Sequence, residues 1–100
     1  MLKEAILGKE IFMENPMETK IAVIGIIIES KESVNMVNQI LHQYSSCIIG
    51  RMGLPYEKKK ISIISVVVDA PVDVISALSG KLGGLPGVRT KALHSRTPQN

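Results

Sequence analysis

The chain alternates between stretches that are apolar at nearly every position and stretches whose apolar residues recur three or four apart. Residues 20–28, KIAVIGIII, and 60–69, KISIISVVVD, are of the first kind. Both are rich in β-branched residues and far too short to cross a membrane as helices, so each predicts a strand buried on both faces. Between them, ESKESVNMVNQILHQYSS predicts a helix. Val34, Val37, Leu41 and Tyr44 fall on one stripe with Met36 and Ile40 beside it, while Glu32, Asn35, Gln39 and Gln43 face water. Ser30 is placed to cap that helix. Residues 47–52 predict a short second strand that Gly53 and Pro55 break, because glycine admits positive φ and proline lacks a backbone donor. Pro71 then suits the first turn of a second helix, and Asp73 sits near its positive end. Ile75, Leu78 and Leu82 line one face of this helix, and Gly83 or Gly84 ends it. Residues 88–93 alternate more loosely, with Arg89 and Lys91 on one side, in the manner of an edge strand.

The order β-α-β-β-α-β predicts an α+β, ferredoxin-like sandwich: a four-stranded antiparallel sheet with two helices on one face. The first and third strands are central in that topology, and they are the two richest apolar runs. Successive side chains point to opposite faces, so Ile21, Val23 and Ile27 oppose Ala22, Ile24, Ile26 and Ile28, and two helices cover only one of these sets. Burying one Val or Ile is worth roughly 1.5 to 3 kcal/mol, so leaving four exposed would forgo about 6 kcal/mol or more, against a whole-domain stability of about 5 to 15 kcal/mol. The pattern therefore predicts a homo-oligomer, a dimer or tetramer. The side carrying Ile21, Val23, Gly25, Ile27, Ile61, Ile63 and Ser65 is its expected interface, since Gly25 and Ser65 permit close approach. The competing cover is the N-terminal segment, whose Leu2, Ala5, Ile6, Phe12 and Met13 are apolar enough to fold back.

Composition narrows this further. At 100 residues the chain is one domain, with 45% hydrophobic residues but only three aromatics, so its core is aliphatic. Residues 1–19 carry two lysines against four glutamates, whereas the remainder carries ten basic residues against five acidic. The single cysteine excludes an internal disulfide and an all-cysteine cluster, and a reducing cytoplasm is the expected setting. Neither a membrane span nor a secretory leader is visible. The expected organisation is an extension over 1–19, helical or disordered, with Met17 a second candidate start. A domain over 20–94 and a disordered tail over 95–100 complete it.

KIAVIGIIIE, VNQILHQYSSCIIGRMGLPY, ISIISVVVD and ISALSGKLGGLPGV, spanning about residues 20–93, resemble the regulator family of iron-only hydrogenase systems. IIGRMGLPY and SGKLGGLPGV are the most specific parts. The resemblance implies a small ACT-like domain, similar in fold to the C-terminal domain of the nickel-responsive regulator, in the cytoplasm of an anaerobic hydrogen-metabolising cell. It implies a regulatory role with a small-molecule effector or a regulatory protein partner. ACT domains that bind amino acids place a glycine-containing turn after the first strand. Here that turn is Glu29-Ser30-Lys31, which argues against amino-acid sensing.

The candidate chemistry is sparse, and no cofactor is indicated. Arg51 can offer a forked pair of donors to a carboxylate or phosphate beside Tyr56, a ligand-binding reading that competes with a plain solvated edge arginine. His42, Cys47 and His94 are the soft or imidazole metal ligands. The related nickel regulator assembles such ligands between subunits, but the spacing alone favours a surface histidine, an apolar filler and a tail residue. The central strands contain none of the aromatics on which RNA-recognition modules stack bases, and the acidic leading segment repels phosphate, so direct DNA or RNA binding is not expected. Paired carboxylates, an activated nucleophile and a phosphate-cradling loop are all lacking, which argues against an enzyme. A sensing regulatory domain and a structural assembly module without an effector are the two remaining readings.

Overall fold

The structure, a computed structural model, describes residues 18–96. β1 (Lys20–Ile28), α1 (Val34–Gln43), β2 (Ile48–Tyr56), β3 (Ile61–Ala70), α2 (Val72–Gly83) and β4 (Val88–His94) follow one another along the chain. This is the α+β, ferredoxin-like βαββαβ succession. The strands form one antiparallel sheet in the order β2-β3-β1-β4, which puts both apolar runs in the centre and leaves β2 and β4 as edges.

The pleat divides each central strand between two environments. Ala22, Ile24, Ile26 and Ile28 of β1, with Ile64, Val66, Val68 and Ala70 of β3, point toward the helices and are buried against Val37, Ile40, Leu41, Ile75, Leu78 and Leu82. At about 1.5 to 3 kcal/mol per large aliphatic side chain, this single layer supplies most of the hydrophobic stabilisation. The Lys81 ammonium lies 5.2 Å from the centre of the Tyr44 ring and ties α2 to the end of α1.

Three local features differ from the sequence expectation, each for a physical reason. Ser30 does not cap α1 with its side chain. A 3₁₀ turn over Lys31–Ser33 intervenes, and the buried Ser33 hydroxyl instead donates to the Pro86 carbonyl at 2.6 Å, clipping the start of α1 to the α2–β4 loop. β2 does not stop at Gly53 but runs through Pro55 to Tyr56. An edge strand has one flank of backbone groups with no partner in its sheet, where a proline costs no ladder bond. Lys60 is not the first residue of β3 but the last of a tight turn, held at φ 56°.

The turn between β1 and α1 is sealed by a residue from elsewhere in the chain. Gly87 has φ +67°, its carbonyl accepts the Glu29 N–H at 2.7 Å, and a Cβ placed on it would stand 2.7 Å from the Ser30 Cβ. Only glycine tolerates both the left-handed backbone and that approach. The junction fixes where β4 begins, and therefore where Arg89 and Lys91 fall. Among the described residues no helix is long and apolar enough to cross a membrane.

Candidate functional site

The face of the sheet away from the helices is ordered in rows that run across the strands. The pairing registers align Met52, Ser65, Gly25 and Lys91 in one row, Leu54, Ile63, Ile27 and Arg89 in the next, and Gly50, Val67, Val23 and Leu93 in the row on the other side. Ile21 lies opposite Asp69, and Ile61 opposite Tyr56, toward the two ends. The seven residues singled out in the sequence (Ile21, Val23, Gly25, Ile27, Ile61, Ile63 and Ser65) therefore share this one face.

The face is apolar yet open. Val23 and Ile27 are 38% and 40% exposed although they sit on a central strand, and Met52 and Leu93 at its flanks are 70% and 74% exposed. Isolated exposed aliphatics would need no explanation, whereas a contiguous group of them is the pattern found at interaction surfaces and ligand grooves. Leu2, Ala5, Ile6, Phe12 and Met13, the competing cover, lie outside the described residues.

At the centre, Gly25 and Ser65 leave a valley between the Ile27–Ile63 and Val23–Val67 ridges. Gly25, Ile27, Ile63, Ser65, Arg89 and Lys91 are among the residues around a hollow of about 380 Å³, and a Cβ on Gly25 would touch nothing within 4 Å. Both residues are paired with β1 through their backbones, but neither the Arg89 guanidinium nor the Lys91 ammonium has a hydrogen-bond or ion-pair partner among the described residues. The edge strands also take a share in this surface, beyond the residues of β1 and β3 that the sequence pattern points to. Met52, Leu54 and Tyr56 recur with period two, a signal masked when Gly53 and Pro55 are taken as a strand break.

The other candidates are dispersed. Arg51 pairs with Val66, on the helix side, and donates to Asn38 Oδ1 of α1 at 2.9 Å, whereas Tyr56 pairs with Ile61 on the open side. The two project from opposite faces of β2 and do not form one ligand site within a chain. His42 is exposed on α1 among Asn35, Asn38 and Gln39. Cys47 leads into β2 at one sheet edge, and His94 closes β4 at the other. Among the described residues no three His, Cys, Asp or Glu side chains stand together as a metal site. The Cys47 thiol donates to the Tyr44 carbonyl at 3.3 Å. Burial pushes its pKa up, a backbone hydrogen bond partly opposes this, and the charge of Asp69 adds to the rise. A thiol held protonated is a poor nucleophile and a poor metal ligand at neutral pH.

A second groove runs between α2 and β4, about 590 Å³ in volume, where Gly80, Gly83 and Gly84 thin the helix and Ser79, Thr90 and His94 line the wall. The Ser79 and Thr90 hydroxyls lie 3.3 Å apart, and Thr90 also donates to the Ser79 carbonyl. Its hydroxyls therefore partly satisfy one another, and no Lys, Arg, Asp or Glu is among its lining residues.

A family model described as "TM1266-like: Iron-only hydrogenase system regulator, putative" matches residues 20–92. Among solved structures, the chain is similar to the uncharacterized protein TM1266 from Thermotoga maritima, with 34% identity and a TM-score of 0.76. That match covers 79% of this chain and 100% of the other. No curated protein matches the chain.

Proposed function

Because the chain belongs to the TM1266-like family of iron-only hydrogenase system regulators, we propose that it is a cytoplasmic, ligand-sensing regulatory domain that works as a homo-oligomer built on the open face of its sheet. The observation behind this role is the face itself, where Val23 and Ile27 stand 38% and 40% exposed on a central strand. Four strands about 4.8 Å apart, each pairing over seven or more residues of about 3.3 Å, make a flat of roughly 500 Å² in projection, and more with side-chain relief. A stable interface needs about 800 Å² of accessible surface per partner. One sheet face packed on a second copy therefore supplies the larger share of that area, with the ridges at Val23 and Ile27 meeting the second layer on either side of the valley at Gly25 and Ser65. The lone, protonated Cys47 fits a reducing compartment.

Size exclusion with light scattering, on the full chain and on a version beginning at residue 18, tests this. Both are expected at a multiple of their monomer mass, 10.9 kDa for the full chain, and Ile27→Lys is expected to shift both toward monomer. Monomers in both versions at micromolar concentration would end the proposal.

A further inference from the structure

The hollow on the open face combines three properties that together describe a ligand. Its floor is small and its walls are apolar, with Gly25 and Ser65 beneath Ile27 and Ile63. One side carries the adjacent cations Arg89 and Lys91. Its volume of about 380 Å³ lies within the ~300 to 1,000 Å³ of small-molecule sites. Among the described residues neither side-chain cation has a hydrogen-bond or ion-pair partner, and the carboxylates at the ends of the neighbouring strands, Glu29 and Asp69, pair with neither. An arginine beside a lysine offers a fork and a point charge to one carboxylate or phosphate.

Resting on the sensing role proposed above, we infer that this hollow binds a small amphipathic anion, with an aliphatic or aromatic body along the Gly25–Ser65 valley and a carboxylate or phosphate head on Arg89 and Lys91. From β4 across β1 to β3 the valley spans two strand spacings, about 10 Å, the length of an extended chain of about eight carbons. A second copy on this face brings a second Arg89 and Lys91 to the same interface, where like charges oppose association in proportion to their desolvation. A bound anion offsets that repulsion. Ligand occupancy and assembly are then linked, and each favours the other.

Titration calorimetry of the full chain with octanoate tests the assignment, with octanol and inorganic phosphate as controls that carry only the body or only the charge. Saturable binding of one octanoate per chain is expected, at least tenfold tighter than octanol, with phosphate not saturating at the same concentrations. The double variant Arg89→Gln, Lys91→Gln is expected to weaken octanoate at least tenfold. Gly25→Val, which fills the valley without meeting any atom within 4 Å of its Cβ, is expected to exclude octanoate while circular dichroism stays unchanged. Absence of saturable binding, equal binding of octanol, or equal affinity in the folded variants would overturn the assignment. Sedimentation of the same samples keeps the two ideas separate. An oligomer that ignores octanoate removes the ligand site and leaves the assembly role standing.

Discussion

Replacing Gly87 with alanine probes the junction that holds the β1–α1 turn against the start of β4. An L-residue at φ +67° costs about 1 to 2 kcal/mol. The added Cβ would stand 2.7 Å from the Ser30 Cβ and 3.0 Å from the Ser30 backbone nitrogen. Both belong to a turn that cannot swing aside, and such overpacking costs about 1 to 3 kcal/mol. Any shift that relieves it lengthens the 2.7 Å bond from Glu29 N–H to the Gly87 carbonyl. Alanine also removes conformational freedom from the unfolded chain, which offsets about 0.4 to 1 kcal/mol. The net expectation is a loss of about 1 to 5 kcal/mol, centred near 3, a large fraction of a small domain's stability. Urea unfolding followed by circular dichroism, at one fixed chain concentration because assembly contributes, reads it directly. Gly80→Ala, on α2 away from the open face, is the control, since a Cβ there meets nothing within 4 Å and should be neutral or mildly stabilising. A Gly87→Ala variant within about 0.5 kcal/mol of the parent, the range of an ordinary surface change, would refute the sealed-turn reasoning.

Lys60→Gly should stabilise by about 0.5 to 1 kcal/mol in the same assay, because relief of the left-handed strain at φ 56° exceeds glycine's added unfolded-state entropy. Ser33→Ala should cost about 1 kcal/mol by removing the 2.6 Å bond to the Pro86 carbonyl. For Cys47, burial places the folded thiol's pKa above that of the unfolded chain, so the unfolded state gives up its proton first. Stability is then intact below the unfolded thiol's range and falls as pH rises through it toward the folded value. Urea midpoints between pH 7 and 10 should decline more steeply for the parent than for Cys47→Ala.

The strand order and both central strands were legible because aliphatic runs at β-branched positions report burial on two faces, and both helices declared themselves by a 3.6-residue stripe. Edge strands carry a weaker signal. β2 is exposed along nearly its whole length, so its composition looks like a loop, and Gly53 and Pro55 read as breakers although an edge tolerates them. The Ser33–Pro86 and Ser30–Gly87 contacts were invisible, since a contact across more than fifty residues leaves no local pattern. The site was half legible. Alternation in β1 and β3 identifies the residues of one face, but the register that sets Arg89 and Lys91 beside Ile27 and Gly25 depends on how β4 pairs, which no local periodicity encodes. Arg51 and Tyr56 looked adjacent in sequence terms, and the odd spacing between them puts them on opposite sides of a pleated strand.

The most direct test of self-association through the open sheet face is an isotope-filtered NOE measurement on a mixture of ¹³C-methyl-labelled and unlabelled full chains. Cross-peaks between copies are predicted from the methyl groups of Val23, Ile27 and Ile63. Filtered spectra empty at those methyls, in a sample where they contact only solvent or residues of their own chain, would contradict it.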